Sequence, residues 1–248
     1  MSLDKKSVVI TGAATGIGRG ITECLLEAGA YVTVVGRRAH LLDELADGRP
    51  DTVTAVVADV SEPGAAERIV ADATERFGGV DGLVNNAGLA RFGPLDTARP
   101  EVLEAMFAVN VAAPAELIRC ALPQLRSRRG SVVNISSVGG VLALPGRSFY
   151  GATKAALNSL TRSLAKELAP EVRVNAILPG PVDTPMWHDM GLDEAATEDL
   201  RAGLVASTPM GRFGTGTEIG RWVCHLLDPD LAGWTTGVLL PVDGGRTA

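Results

Sequence analysis

The sequence predicts an α/β fold: a seven-stranded parallel sheet, doubly wound, with helices on both faces. Seven short runs rich in β-branched residues alternate with longer Ala/Leu-rich segments of helical periodicity. The runs are apolar almost throughout, which is typical of parallel strands covered on both sides. With 248 residues, 46% of them hydrophobic, the chain is long enough for one domain with a complete core, and we expect a single domain over 1–248.

The elements follow one another without an internal repeat or a linker. The predicted strands are 7–11, 31–35, 52–57, 82–85, 131–135, 173–178 and 237–240. The predicted helices are 17–29, 39–47, 63–77, 100–128, 150–169 and 217–227, the fourth broken near Ala113-Pro114. The stretch 179–216 fits neither pattern. Because long loops in compact domains are usually functional, we expect 185–215 to form a lid over a binding site.

Composition excludes several classes of protein. The net charge of −6 argues against a nucleic-acid surface or an anionic membrane as the main partner. No uninterrupted apolar run approaches the ~18 residues of a membrane span, and no signal-peptide core precedes the first strand. The three cysteines are far apart, and no Asp/Glu/His cluster suggests a metal site. We expect a cytoplasmic protein without a bound metal.

Ligands of doubly wound folds bind beyond the carboxyl ends of the strands, and the first strand ends in a glycine-rich turn. The spacing is Gly12-x-x-x-Gly16-x-Gly18, directly before a helix. Such a turn lets backbone N–H groups approach a pyrophosphate, which the positive end of the helix dipole also favours. Glycines at a tight turn also have a purely structural explanation. Their position in the first βαβ unit favours a nucleotide.

The end of the second strand indicates which nucleotide. An NAD site usually has an acidic residue there for the ribose hydroxyls, whereas this chain has Gly36 followed by Arg37 and Arg38. Arg37 offers a permanently charged fork to a 2′-phosphate. We therefore expect NADP(H), with NAD(H) as the alternative. Two arginines that are merely solvated at a helix start would give the same pattern.

Tyr150 and Lys154 lie on the apolar stripe of a predicted helix. At about 100° per residue they fall on the same side as Leu157, Leu164 and Leu168, opposite the polar residues. For an arbitrary Tyr-x-x-x-Lys, a core tyrosine with a snorkelling lysine is the ordinary explanation.

Six motifs in this order resemble the short-chain dehydrogenase/reductase family over the whole chain. They are Thr11-Gly-x-x-x-Gly-x-Gly18, Asn85-Asn-Ala-Gly88, Asn110, Ser137, Tyr150-x-x-x-Lys154 and Pro179-Gly-x-x-x-Thr184. The resemblance implies a Rossmann fold and an NAD(P)-dependent enzyme that interconverts a carbonyl and an alcohol by hydride transfer. It also implies a homo-oligomer, commonly a tetramer.

The resemblance implies a catalytic set of Asn110, Ser137, Tyr150 and Lys154. Tyr150 is expected to be the general acid/base, Ser137 to hold the substrate oxygen, and Asn110 to order a water that replaces protons. A free phenol has a pKa of about 10, and a nearby cation lowers it, so Lys154 is expected to adjust Tyr150 as well as to hold the nicotinamide ribose.

The resemblance also implies the residues that contact the cofactor. They are Gly12, Thr15, Gly16, Ile17, Gly18, Arg37, Arg38, Asp59, Val60, Asn85, Gly88, Tyr150, Lys154, Pro179, Gly180, Val182 and Thr184. Asp59-Val60 is expected beside the adenine, Asn85 and Gly88 near its ribose, and the last four around the nicotinamide. Many NADP-using relatives have a basic residue where this chain has Thr15, so a 2′-phosphate depends on Arg37 and Arg38.

The substrate is expected to be a small ketone or secondary alcohol with hydrophobic substituents, because 89–94, 138–149 and the lid are mostly apolar. A 3-oxoacyl substrate is one possibility. Arg91 and Arg147 are either solvated or positioned for a carboxylate or carrier group. The alternatives to this function are an NAD-dependent alcohol dehydrogenase, a nucleotide-binding regulator without catalysis, and an epimerase or dehydratase with tightly held NAD.

Overall fold

The computed structural model describes residues 3–248, apart from the side chains of His188 and Asp189. One sheet contains seven parallel strands, which are β1 (Ser7–Thr11), β2 (Tyr31–Gly36), β3 (Val53–Val57), β4 (Gly82–Asn85), β5 (Ser131–Ile135), β6 (Arg173–Pro179) and β7 (Leu239–Val242). Their order across the sheet is β3-β2-β1-β4-β5-β6-β7. The chain therefore starts in the middle of the sheet and winds outward in both directions, as the sequence predicts.

Nine α-helices occur in the described part of the chain. They are α1 (Gly16–Glu27), α2 (Ala39–Ala46), α3 (Ala65–Phe77), α4 (Pro100–Phe107), α5 (Ala113–Arg128), α6 (Ser148–Glu167), α7 (Glu194–Ala206), α8 (Gly216–Leu227) and α9 (Pro229–Ala232). The core on one face of the sheet includes Ile21 of α1 and Val223 of α8. The core on the other face includes Ile69 of α3 and Leu125 of α5. The doubly wound α/β class is confirmed.

The central strands are buried on both sides, which explains their continuous apolar composition. Val8, Val9 and Ile10 of β1 are at most 1% exposed. Val8 pairs in parallel with Val32 of β2 and Gly82 of β4. This register brings the carboxyl ends of β1 and β4 side by side, at the point where the strand order reverses.

The structure differs from the sequence expectation in three elements. The segment 179–216, which showed no clear periodicity, contains the 3₁₀ turn Pro185–Asp189 and helix α7. The last strand lies two residues later than expected. The helix over 100–128 is not broken at Pro114: a π-helical turn, Ala108–Ala112, connects α4 to α5. A proline clashes with the carbonyl four residues back in a regular helix, and the wider turn accommodates it.

By length and composition alone, Pro100–Arg128 is the one stretch of the described chain long and apolar enough to cross a membrane. Glu116 and Arg119 interrupt the run, which is why no continuous apolar span is evident in the sequence. In this structure α5 packs against α3, β4 and β5, and Leu117, Ala121 and Leu125 are buried. The apolar side of the helix is therefore a core-facing side.

Helices α1 and α8 approach each other through glycine. A Cβ on Gly20 would lie 2.2 Å from the backbone carbon of Gly216, and one on Gly220 would lie 2.7 Å from the carbonyl oxygen of Gly20. Backbone atoms cannot move aside as a flexible side chain does. The contact that positions the start of α1 therefore requires glycine.

We expect Gly20→Ala to lower the free energy of unfolding by about 1–3 kcal/mol, because the added methyl group forces α1 and α8 apart. Gly203→Ala is the control, since Gly203 is exposed in α7 and a Cβ there meets nothing within 4 Å. The control should gain roughly 0.5–1 kcal/mol from helix propensity. Urea unfolding of the two variants measures both values, and equal stabilisation by both would contradict the close contact.

Candidate active site

A cleft of about 390 Å³ opens at the carboxyl ends of the strands, where the strand order reverses. Doubly wound folds bind their ligands at this point. The glycine-rich turn and the ends of β2 and β3 form one half. The loop after β4, the end of β5, the first turns of α6, the turn after β6 and the segment containing α7 form the other half.

The glycine-rich turn lies at the floor of the cleft. Gly12 and Gly16 have positive φ angles of 65° and 52°, which L side chains rarely adopt. A Cβ on Gly18 would lie 1.9 Å from the carbonyl oxygen of Gly12, so this glycine is required for packing. Helix α1 starts at Gly16 with no acidic residue in its first turn. Its positive end is therefore free to bind an anion such as a pyrophosphate.

Asn86, rather than Asn85, borders this turn. Its side-chain amide donates to the carbonyls of Thr11 (2.9 Å) and Gly12 (3.0 Å). Asn85 was expected near the adenine ribose, but it is buried and donates to Asn134 at 2.8 Å, beneath the cleft. Successive side chains of a strand point to opposite faces, so Asn85 at the end of β4 points into the sheet core. Asn86 is the neighbour that contacts the glycine turn.

The end of β2 forms part of the rim of the cleft, through its last residue, Gly36, and the two residues that follow, Arg37 and Arg38. Arg38 donates to Thr15 Oγ1 at 3.2 Å, which holds its guanidinium across the glycine-rich turn. Arg37 is 77% exposed and lies 3.8 Å from the Asp59 carboxylate. Hydrogen bonds from Ser61, and more weakly the charge of Arg37, hold the pKa of Asp59 below its ordinary value. This end of the cleft thus presents two cations around one ionised carboxylate.

Tyr150, Ser137 and Lys154 lie together at the other end. Ser137 lies two residues after the end of β5, accepts a hydrogen bond from the Gly139 N–H at 3.0 Å and shares a hydrogen bond with Tyr150. The Lys154 ammonium donates to the Ile135 carbonyl at 2.9 Å and lies 5.9 Å from the centre of the Tyr150 ring. Helix α6 therefore carries its two polar groups against the end of β5.

Burial governs the protonation of this group. It raises the pKa of Tyr150, a rise that the Ser137 hydrogen bond and the charge of Arg147 oppose. Burial lowers the pKa of Lys154 to about 8. The sequence predicts that Lys154 lowers the tyrosine pKa; in this structure removal from water dominates, and the opposing contributions come from Ser137 and Arg147 rather than from Lys154. Tyr150 accordingly keeps its proton at neutral pH, as a proton donor must.

Asn110 connects three segments next to the site. Its side-chain amide donates to the Leu89 carbonyl and to Thr153, both at 2.9 Å, and its oxygen accepts from the Leu89 N–H at 2.8 Å. The side chain is therefore fully engaged between the π-turn, the loop after β4 and α6. Gly88 lies beside it, since a Cβ there would be 3.5 Å from Asn110 Oδ1 and 3.8 Å from Lys154 Nζ.

The remaining predicted residues all border the cleft. They are Thr15, Ile17, Val60, Pro179, Gly180, Val182 and Thr184. The glycine floor, the open start of α1 and the arginines beyond β2 together fit an extended anionic nucleotide. The rest of the cleft has mostly apolar walls, which include Phe92, Leu144, Trp187, Met190 and Leu204, together with three arginines, Arg91, Arg147 and Arg246. Leu204 and Arg246 also line the cleft, although no sequence motif marks either of them.

One group of possible metal ligands occurs in the described part of the chain: Glu67, Glu116 and Cys120. It lies outside the cleft, on α3 and α5. Arg119 forms ion pairs with both glutamates and so occupies the space between them. The ion pairs account for this cluster without a metal.

Comparisons with known proteins agree with this geometry. Residues 12–247 match the family model described as enoyl-(acyl carrier protein) reductase. A 3-oxoacyl-[acyl-carrier-protein] reductase of Thermotoga maritima is 34% identical over 250 residues, 99% of each chain. The chain belongs to the short-chain dehydrogenase/reductase family.

Two other members of the short-chain dehydrogenase/reductase family show how broad the likeness is. A 2-(S)-hydroxypropyl-CoM dehydrogenase of Xanthobacter autotrophicus is 34% identical over 252 residues, covering 99% of this chain and 98% of that protein. The crystal structure of a 3-ketoacyl-(acyl-carrier-protein) reductase from Brucella melitensis, complexed with NADH, superposes with a TM-score of 0.91, 31% identity and complete coverage of both chains. The protein is thus an NAD(P)-dependent oxidoreductase of this family.

We expect Lys154→Met to stabilise the fold. Below pH 8 the folded protein holds a charged, desolvated ammonium, whereas unfolding returns it to water and to its ordinary pKa near 10.5. The cost disappears as the pH rises from about 8 to 10.5. Methionine should therefore raise the free energy of unfolding by about 1–3 kcal/mol at pH 7, after loss of the bond to Ile135.

The same variant should gain less at pH 9.5, where Lys154 has largely lost its proton in the folded protein but keeps it in the unfolded chain, so that only the part of the cost between pH 9.5 and 10.5 remains. Urea unfolding at the two pH values, with Lys166→Met on the exposed face of α6 as control, measures the difference. A gain that does not depend on pH would show that the lysine is not desolvated.

Proposed function

We propose that this protein is an NADP-dependent oxidoreductase that interconverts a ketone and a secondary alcohol with hydrophobic substituents, Tyr150 acting as general acid/base. The observation that carries the proposal is the partly buried, protonated Tyr150, which lines the cleft and shares a hydrogen bond with Ser137. A proton donor and a second hydroxyl at this place are what a carbonyl oxygen needs as it gains negative charge.

When bound, the nicotinamide supplies the hydride that adds to the carbonyl carbon. Ser137 and Tyr150 hold the carbonyl oxygen between their hydroxyl groups, and the Tyr150 hydroxyl donates its proton to that oxygen. Donation leaves a phenolate in a buried place. Stabilising positive charge is available from Arg147 and from Lys154, whose ammonium lies 5.9 Å from the centre of the Tyr150 ring and stays protonated below pH 8 because its pKa is about 8. Asn110 keeps Lys154 and the loop at Gly88 in register through Leu89 and Thr153.

The preference for NADP(H) follows from the rim beyond β2. Gly36 provides no carboxylate for ribose hydroxyls, and Arg37 and Arg38 border the cleft there. Arg38 donates to Thr15, the position at which many NADP-using members of the family have a basic residue, and we propose that Arg38 substitutes for that residue. The NADH-bound relative from Brucella melitensis keeps an NAD-dependent alcohol dehydrogenase as the second candidate.

The apolar walls support hydrophobic substituents on the substrate. We propose that 185–215 is the lid of a single domain, since Met186, Trp187, Met190 and Leu204 face the cleft from it. Relatives named as 3-oxoacyl and as hydroxypropyl-CoM enzymes leave a 3-oxoacyl substrate as one member of the class. A regulator without catalysis and an epimerase are disfavoured, because all four catalytic positions are retained and the end of β2 has no acid.

Exposed apolar residues near the C-terminal strand support a homo-oligomer, and we propose a cytoplasmic tetramer. Trp234 is fully exposed, and Leu231 and Trp222 are 52% and 42% exposed. Apolar side chains grouped in this way are typical of subunit interfaces.

We expect Tyr150→Phe to lower kcat for ketone reduction by about 10²- to 10⁴-fold, because the proton donor is lost while the walls of the cleft remain. Binding of NADPH, measured by titration calorimetry, should change little. Tyr31→Phe is the control: Tyr31 is the only other tyrosine and stacks on Phe77 away from the cleft. Turnover that survives in Tyr150→Phe would overturn the assignment of the acid.

We expect Arg38→Leu and Arg37→Leu each to raise KM for NADPH by roughly tenfold or more, since a charge-assisted bond to phosphate is lost. KM for NADH should stay within about threefold, because NADH carries no 2′-phosphate. Arg19→Leu, which removes an exposed cation of α1 outside the cleft, is the control. A wild-type preference for NADH would contradict the role of both arginines and leave that of Tyr150 intact.

A further inference from the structure

Arg147 and Arg246 line the substrate end of the cleft, beyond Tyr150; Arg91 also lines the cleft, and its guanidinium donates to the Ala90 carbonyl. Arg147 precedes α6, and its guanidinium lies 5.0 Å from the centre of the Phe92 ring. Phe92 in turn meets the Tyr150 ring edge-on at 5.6 Å. Arg246, near the C-terminus, borders the same cleft and donates to the Ser207 hydroxyl just after α7. Arg147 and Arg246 are both partly buried.

Neither Arg147 nor Arg246 is paired with a carboxylate within the described part of the chain. Asp243, the acid nearest to Arg246 in sequence, accepts hydrogen bonds from the N–H groups of Gly245 and Thr247. Arg147 rests on an aromatic ring, and the charge of Arg246 adds to burial in lowering its pKa. Partly desolvated cations usually have a counter-charge, because burial of an unpaired charge is unfavourable.

The balance of charges in the cleft also indicates that a counter-charge is missing. Among its described lining residues are six basic side chains and one carboxylate, Asp59, which lies at the far end beside Arg37. The chain as a whole has a net charge of −6. The positive charge is therefore concentrated in the cleft. A phosphate held by Arg37 and Arg38 at the nucleotide end would not neutralise Arg147 and Arg246 at the other end.

We infer that Arg147 and Arg246 form a subsite for an anionic group, such as a carboxylate, on the carbonyl substrate. The inference rests on the proposed reductase function and narrows its substrate class to oxo acids and their anionic analogues. The apolar walls contact the carbon chain, Tyr150 and Ser137 hold the carbonyl, and the two guanidinium groups bind the charged end on the other side of Phe92. Arginine suits this role because its planar fork matches a carboxylate.

The test compares each oxo acid with its methyl ester, which removes the charge and keeps the carbonyl. The probes are the 3-oxo to 6-oxo acids of eight carbons, and oxidation of NADPH gives kcat and KM. The wild-type protein should prefer an acid over its ester by roughly tenfold or more in kcat/KM. Arg147→Met and Arg246→Met should each bring that ratio close to one by raising KM for the acid, and Arg147→Lys should restore part of it. Arg162→Met, on the exposed side of α6, is the control.

An equal loss for acid and ester in Arg147→Met would assign the residue to the electrostatics of Tyr150 and overturn the subsite. So would a wild-type protein that reduces esters as well as acids. Octanoate, which has no ketone to reduce, should raise the Tm of the wild-type NADP complex but not of the Arg147→Met complex. Octanoate binding without reduction of any ketone would support the subsite and contradict the proposed function. Ketone reduction without octanoate binding would support the proposed function and contradict the subsite.

Discussion

The hydrogen bond from the Lys154 ammonium to the Ile135 carbonyl is the interaction on which the site depends. It joins the second turn of α6 to the end of β5, inside a region from which water is largely removed. Since Tyr150 lies one turn before Lys154 and Ser137 two residues after Ile135, the same bond sets the distance between the two hydroxyl groups. A charged group in such a place is unfavourable for folding, because burial alone lowers the lysine pKa to about 8. The position of Lys154 is therefore explained by the chemistry proposed for the site rather than by a contribution to the stability of the fold.

Much of this arrangement follows from local sequence. The continuous apolar runs predict a parallel sheet, and the sheet in turn predicts that Gly12, Ser137 and Pro179 meet at one edge. Helical periodicity places Tyr150 and Lys154 on a single face, and the structure has both on the side of α6 that meets β5. The fold class and most of the cleft are therefore contained in patterns that span a few residues each.

The features of the site that the sequence does not predict depend on contacts between segments far apart in the chain. The choice between Asn85 and Asn86 is decided by where β4 stops, and a boundary of one residue reverses the face on which a side chain lies. Helix α7 is weakly periodic because few of its residues are buried, Leu204 being the exception. Arg246 reaches the cleft because the chain turns after β7 at Gly244 and Gly245; Asp243-Gly-Gly is typical of a turn, but a turn pattern does not predict which residues the next side chain contacts. The protonation of Tyr150 is likewise a property of the folded environment.

Both ends of the cleft carry arginines, but the protein compensates them differently: Arg37 is 77% exposed and pairs with Asp59, whereas Arg147 and Arg246 are partly buried. At the nucleotide end, arginines follow a strand and border a site suited to phosphate. At the substrate end, Arg147 comes from the start of α6 and Arg246 from a C-terminal turn, and Arg246 donates to Ser207 just after α7. Arg147 and Arg246 have no carboxylate partner among the described residues, and the charge of Arg246 acts against that of Arg147, so an anionic ligand there both binds and relieves repulsion within the folded state. Ligands that bind only the folded form shift the folding equilibrium toward it. Unpaired cations in the empty cleft lower the stability of the folded protein, and we expect an anionic ligand that neutralises them to raise it. Ligand binding at this site is therefore coupled to the free energy of unfolding.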